Sequence, residues 1–239
     1  MVGRRGRLGH GELKQRWFDA LWPLVAAQLP PPPARVVEIG CGSLGGFVPA
    51  LSAHGYSAVG VDPAAPEGPM YRQVEFERAD RFTDIDAVIA STSLHHVADP
   101  VVVLDRVVGA LRPDGRVVVI EWAWEEFDEP TATWCFDRLG SGADPGWLHR
   151  RREEWLASGR PWDEYLGGWA GVEGLHEARQ LLRLLDERFN REHLARGPYF
   201  FPDLADTTTD EEQKAIDDGE IRPTRVEYVG TLRSRLPQR

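Results

Sequence analysis

Two periods of apolar and polar positions run along this chain. Over residues 11–29 the apolar side chains fall at 13, 17, 18, 21, 24 and 25, the spacing of one face of a helix. Pro23 lies inside that run, where it is expected to kink or divide the helix. Pro30 to Pro33 ends it in a short stiff connector. Val36–Ile39 is a short apolar run interrupted by Glu38 near its end, as suits a parallel strand buried on both faces. Gly40-Cys41-Gly42 then turns the chain, Gly45-Gly46 opens a helix expected over 47–54, and Gly55 ends it. A second strand over 56–61 ends in Asp62, a weak third is expected over 74–78, and a fourth over 86–90. Asp99-Pro100 has the order of an N-cap and first helical residue. The helix it starts runs to Leu111 and stops at Pro113-Asp114-Gly115. A fifth strand covers 116–122. Strand and helix alternate to this point, which predicts a parallel sheet with helices on both faces.

The character changes after residue 122. Seven of the nine tryptophans, at 122, 124, 134, 147, 155, 162 and 169, fall in 122–170 among Gly/Pro breaks. Residues 173–196 are charged and amphipathic and predict one long helix ended by Gly197-Pro198. A sixth strand is expected over 199–204, a capped helix from Thr209 to near Gly219, and a seventh strand over 224–232.

Composition narrows the function classes. With 28 basic and 38 acidic side chains the net charge is -10, which argues against a general nucleic-acid binder. The one basic cluster, His149 to Arg152, is followed at once by Glu153 and Glu154, as on a solvated helix face. Cys41 and Cys135 form no CxxC or Cys/His ligand spacing. That predicts neither a disulfide framework nor a zinc site, and it suits a reducing cytoplasm. Nor does any carboxylate cluster suggest a metal. No apolar run reaches the ~20 residues that span a bilayer. The basic start, MVGRRGRLGHGEL, has no apolar segment behind it and so does not read as a secretory signal. The length suits one domain, or one domain with a large insertion.

The candidate chemistry begins at the glycine turn. Such a turn brings backbone N–H groups and a helix N-terminus close to a ligand. Asp62, at the end of the second strand, is placed to accept both hydroxyls of a ribose. Glu38 is the unusual residue. A carboxylate inside a buried strand, two residues before the turn, is suited to orienting the turn and the cationic, amino-acid end of a ligand.

These residues resemble a known family. Glu38-Ile-Gly40-Cys-Gly42 is similar to the first motif of class I S-adenosylmethionine-dependent methyltransferases. Gly60-Val61-Asp62 resembles their ribose-binding strand end, Ala79-Asp80 their adenine-contacting segment, and Asp86 to Val97 their fourth-strand motif. Leu111 to Gly115 resembles the turn before their fifth strand. The five motifs stand in order across residues 35–122. The family usually has a third glycine where this chain has Leu44. Either the turn is one residue longer, or Gly45 takes the role from a shifted place.

The resemblance implies an α/β fold: a Rossmann-like, seven-stranded, mostly parallel sheet with helices on both faces and a helical insertion after strand five. It divides the chain into an N-terminal helical cap (1–34), a cofactor-binding core (35–122), a Trp-rich substrate-cover insertion (123–196) and C-terminal strands (197–239). It implies S-adenosyl-L-methionine as cofactor, with S-adenosyl-L-homocysteine as product. The contacts would come from Glu38, Gly40, Cys41, Gly42, Gly45, Asp62, Pro63, Ala79, Asp80, Arg81, Ser91 and His96.

The sulfonium is already electrophilic, so the protein mainly aligns a nucleophile with the methyl carbon. His95 and His96 stand where the family's fourth-strand loop meets the methyl group. They are candidates for a general base, or for orienting and contacting the cofactor. Trp17, Trp122 and Trp124 are candidate walls for the acceptor, and Glu121, Glu125 and Glu126 beside the last two are candidates to bind a cationic or hydroxyl group of it, although Glu125 and Glu126 read rather as solvated charges. The expected protein is a cytoplasmic monomer or homodimer acting on a small-molecule acceptor, with no nucleic-acid or membrane partner. The alternatives are a methyltransferase of proteins, a non-catalytic S-adenosylmethionine-binding subunit, and a nicotinamide-dependent oxidoreductase. Glu38 and the His-His pair speak against the last.

Overall fold

A computed structural model of the chain describes residues 10–140 and 146–233. The basic start of the chain and most of the GSGADPG break lie outside the described residues. In chain order the elements are α1 (His10–Gln28), β1 (Arg35–Ile39), α2 (Val48–Ala53), β2 (Ser57–Val61), β3 (Tyr71–Arg72), β4 (Ile85–Ser91) and α3 (Pro100–Ala110). They continue with β5 (Leu111–Trp122), α4 (Glu129–Phe136), α5 (Trp147–Ser158), α6 (Trp162–Glu173), α7 (Ala178–Arg188), β6 (Phe189–Gly197), α8 (Thr209–Asp217) and β7 (Arg225–Leu232). None of the helices described is long and apolar enough to cross a membrane.

The chain forms two compact units. The larger holds residues 22–124, 174–196 and 225–233 and contains the whole sheet, in the order β3-β2-β1-β4-β5-β7-β6. Strands β3 to β5 pair in parallel, and β7 runs antiparallel against β5, with Val118 opposite Val229. The expected mostly parallel, seven-stranded sheet is therefore present. β1 and β4 are buried along nearly their whole length, which is why, Glu38 and Asp86 apart, they read as apolar runs rather than alternating ones. Val37, Val88, Leu104, Val107 and Leu185 are among the side chains that close the core, each contributing about 1.5–3 kcal/mol by leaving water. The chain leaves β1 toward β2 on one side and meets β4 on the other. This reversal opens a crevice beyond the carboxyl ends of the strands, where ligands of such sheets lie.

Local chemistry sets the element ends. Asp99 caps α3 by accepting from Val101 N (2.8 Å) and Val102 N (3.3 Å), with Pro100 following. Thr208 and Glu211 form a full capping box at α8. α1 continues through Pro23 without dividing, burying Trp17, Leu21, Val25 and Leu29 at a spacing of four.

Four expected elements differ. β5 begins at Leu111 rather than at 116, so the expected turn at Pro113-Asp114-Gly115 falls within the strand, where its register against β4 shifts. The third strand is only Tyr71–Arg72; Val74 to Arg78 instead turns so that Phe76 enters the core beside Phe82, with ring centroids 6.1 Å apart. The run 173–196 is not one helix. α6 ends before Gly174, whose φ of 67° breaks it, α7 follows, and Phe189 starts β6. The charges of FNREHLARG belong to the solvated edge of a sheet rather than to a helix face. Residues 199–204 consequently form no strand. The backbone N–H groups of Tyr199, Phe200 and Phe201 all donate to the buried carboxylate of Glu212, at 2.7, 3.0 and 2.6 Å, and not to a neighbouring strand.

The smaller unit holds residues 10–21, 125–140, 146–173 and 197–224. Its tryptophans build its own core. Trp162 is fully buried, edge-on to Phe127, Phe136 and Trp155 at 5.1, 5.6 and 5.3 Å, and its Nε1–H donates to Phe127 O. The basic cluster lies on α5, where Arg151 sits over the Trp169 ring and pairs with Glu154. Residues 174–196, expected to belong with the Trp-rich stretch, group with the sheet.

Candidate active site

The site is built at the crevice from four segments of the sheet unit. Gly40 takes φ 77° and donates to Val61 O at 2.8 Å, tying the end of β1 to the end of β2. Gly42 N donates to Asp62 Oδ2 (3.0 Å), and Asp62 Oδ1 accepts from Ala64 N (2.7 Å). Asp62 thus shapes the turns on both sides of it and keeps one lone pair on each oxygen for a ligand. Cys41 is buried. Burial first, then the charges of Glu38 and Asp62, push its thiol up to about 12, so it stays a neutral packing group. Leu44 is 44% exposed, while Gly45 is buried at φ 84° and Gly46 follows at 58°. Gly42, Gly45 and Gly46 all take positive φ, so the turn bends on either side of Leu44.

Glu38 is 1% exposed, and its Oε2 accepts from Phe47 N at 2.8 Å, just before α2. Its other oxygen is buried with no partner. Burial pushes the carboxyl up to about 8, against the backbone hydrogen bonds of Phe47 and Val48 and with the help of the Asp62 charge. A Cβ on Gly46 would stand 2.5 Å from Glu38 Cδ, so only glycine lets the turn pass over this group. A buried, half-satisfied carboxyl at a helix N-terminus is a receptor for a cation that also donates hydrogen bonds.

The loop after β4 closes the opposite side. Ser93 Oγ donates to Ile39 O (2.9 Å), and a Cβ on Gly40 would overlap Ser93. The buried Glu121, near the end of β5, accepts from Ser93 N (2.9 Å) and Leu94 N (2.6 Å) through one oxygen and from His95 Nδ1–H (2.5 Å) through the other. Glu121 was a candidate for binding an acceptor; its oxygens are engaged with this loop instead. His95 is 3% exposed and edge-on to Trp122 at 6.3 Å. His96 packs tilted against His95, with ring centroids 4.1 Å apart, and faces solvent on its other side. Desolvation by its packed side, then the neighbouring His95, lowers its imidazole below the ordinary range, with Glu121 acting the other way. His176 N donates to His95 O and His176 Nε2–H to Val97 O (2.8 Å), while Trp124 Nε1–H donates to His176 O (3.2 Å).

The sheet unit holds all the expected cofactor contacts, both histidines, Trp122 and Trp124. Ser91 is buried at the end of β4; Ala79 is buried, with its carbonyl accepting from Arg106; Pro63, Asp80 and Arg81 are exposed. Trp17 belongs to the smaller unit, where it packs edge-on to Tyr199 (5.2 Å) and stacks on Phe201 (6.1 Å). Glu126 also belongs there and pairs with Arg222. Sequence reasoning missed Ser93, His176 and the loop-holding role of Glu121. Only Glu121 carried a signal: like Glu38, it is a carboxylate interrupting an apolar strand.

A family model described as a methyltransferase domain matches residues 10–194. Among solved structures, the chain is similar to an S-adenosylmethionine dependent methyltransferase from Mesorhizobium loti, with 23% identity, 90% of this chain and 100% of that one covered, and a TM-score of 0.55. It is also similar to geranyl diphosphate C-methyltransferase from Streptomyces coelicolor A3(2), with 14% identity, 96% and 87% covered, and a TM-score of 0.54. That structure holds Mg2+, geranyl diphosphate and S-adenosyl-L-homocysteine. A third likeness is to 1,6-didemethyltoxoflavin-N1-methyltransferase from Burkholderia thailandensis, with 15% identity, 92% and 79% covered, and a TM-score of 0.50. At these identities the likenesses show a common fold. No curated protein sequence matches the chain.

Proposed function

The chain belongs to the methyltransferase-domain family, and on that premise we propose that it moves a methyl group from S-adenosylmethionine to a small-molecule acceptor. The observation that carries this reading is Glu38. Its buried, unpartnered oxygen at the glycine turn fits the ammonium of an amino-acid cofactor and has no comparable use for a nicotinamide dinucleotide. The bound cofactor supplies a methyl carbon made electrophilic by its sulfonium.

Each side chain then has a task. Glu38 accepts the ammonium beside the glycine turn, whose Gly40 N and Gly42 N are engaged with Val61 O and Asp62. Asp62, held by Gly42 N and Ala64 N, receives the ribose hydroxyls on its remaining lone pairs. Ala79 to Arg81 border the adenine. Glu121 fixes the loop that carries the two histidines. His95 is occupied by Glu121 and positions its neighbour. His96, kept neutral at pH 7 and open to solvent, is the group able to take a proton from an attacking hydroxyl or amine. Trp122 and Trp124, at the carboxyl end of β5, supply apolar wall.

The acidic net charge of -10 favours a small acceptor over a nucleic acid. The test is calorimetric titration of the protein with S-adenosylhomocysteine and, separately, with oxidised nicotinamide dinucleotide. Binding of the first alone is expected; binding of the second alone refutes the reading. Transfer of a labelled methyl group to small-molecule pools, with none to protein or RNA, is the expected acceptor result.

A further inference from the structure

The first residue of β3, Tyr71, pairs with Gly60 of β2. Paired positions on neighbouring strands point to the same face of a sheet. A Cβ on Gly60 would stand 2.8 Å from Cys41 Sγ and 3.0 Å from Val48. That face is therefore the one covered by the glycine turn and the start of α2, and Gly60 contributes no bulk to it. The Tyr71 ring uses that room and reaches the turn. A Cβ on Gly45 would lie 2.9 Å from Tyr71 Cζ and 3.0 Å from Cε1, and would overlap the hydroxyl itself. The next residue, Gly46, yields in the same way to the Glu38 carboxylate. Two consecutive glycines thus leave their side-chain space to two polar groups, a phenol from β3 and a carboxyl from β1.

We propose that Tyr71 is a positioning residue for the amino-acid end of the cofactor: it braces the turn at Gly45, next to the Gly46 that passes over the Glu38 carboxylate. This rests on the reading of Glu38 given above. Two adjacent glycines are free to adopt many backbone conformations, and unbraced they would have to be ordered at each binding event. The phenol supplies that order in advance. Burial, then the Cys41 and Glu38 charges, raise the Tyr71 hydroxyl, so it remains a neutral donor beside the turn.

The test compares two ligands on the folded protein. S-adenosylhomocysteine carries the amino-acid end, whereas 5′-methylthioadenosine has the adenosine and thioether without it. In calorimetric titrations, Tyr71→Ala is expected to weaken S-adenosylhomocysteine by about tenfold or more and methylthioadenosine by less than about twofold. Tyr71→Phe keeps the ring but removes the atom nearest Gly45. It is expected to show a smaller loss confined to the same ligand, at an unchanged melting temperature, and it carries the test if the alanine variant folds poorly. Equal losses for both ligands would mean general damage to the site and would overturn the proposal, as would undiminished S-adenosylhomocysteine affinity in both variants. If the wild-type protein binds neither ligand, it is the cofactor assignment that falls.

Discussion

Replacing Glu38 by Gln separates the charge of this group from its shape. The amide keeps an oxygen for Phe47 N, which Glu38 now satisfies at 2.8 Å, and it fills the same volume under Gly46. Its effect on stability depends on pH. The carboxyl is raised from 4.5 to about 8 in the fold. Below about pH 4.5 both folded and unfolded chains carry the proton and nothing is lost. Between 4.5 and 8 the unfolded chain releases it while the folded chain keeps it, so stability falls as pH rises toward the folded value. The full span corresponds to at most about 5 kcal/mol, at 1.36 kcal/mol for each pH unit. Glu38→Gln removes this slope, so urea unfolding from pH 5 to 8.5 should show wild-type stability declining more steeply than that of the variant. Cofactor binding changes in the opposite sense. An ammonium at the unpartnered oxygen favours the carboxylate, so S-adenosylhomocysteine should release a proton near pH 7, visible as buffer-dependent binding heat. The variant should release none and bind more weakly by roughly 1.5–3 kcal/mol, the worth of a charged hydrogen bond. Identical pH slopes for the two proteins, together with equal proton release, would refute the role given to Glu38.

Asp62→Ala removes the acceptor of both Gly42 N and Ala64 N as well as the ribose contact, and should weaken S-adenosylhomocysteine by more than about tenfold in calorimetry; unchanged affinity would mean the ribose lies elsewhere. Glu121→Ala strands three buried donors and should lower stability by about 3–5 kcal/mol in urea unfolding, and a loss below about 1 kcal/mol would contradict the hydrogen bonds to Ser93, Leu94 and His95. Because the His96 imidazole is held below its ordinary range, methyl transfer to an acceptor that must lose a proton should stay at plateau from pH 8 down past 6.5, and His96→Asn should lower kcat with little change in cofactor affinity. A rate that already falls at pH 7 in wild type, or an unaltered kcat in the variant, would exclude His96 as the base.

Much of the site was readable from residue order because its parts are local. Glu38, the glycine turn, Asp62 and the His-His pair each lie at the end of a strand, and strand ends follow from apolar runs and the turn residues behind them. The contacts among them were not readable, since they join positions far apart in the chain. Glu121 reaches back 27 residues to Leu94 N, and Tyr71 crosses from β3 to Gly45. The misplaced sixth strand has the same origin. FNREHLARG suits either a helix face or a sheet edge, and only the presence of β7 beside it decides between them.

By itself, then, the sequence determined the alternation of strands and helices up to Trp122 apart from the place of the third strand and the start of the fifth, the capped start of α3, and the glycine turn with a carboxylate beneath it. All of these rest on periodicity and on the backbone preferences of a few neighbouring residues. Tertiary structure alone decided that residues 189–197 extend the sheet and that Glu121 is engaged with the β4 loop. It also decided that position 45 has no room for a side chain, because a phenol from another strand occupies the space.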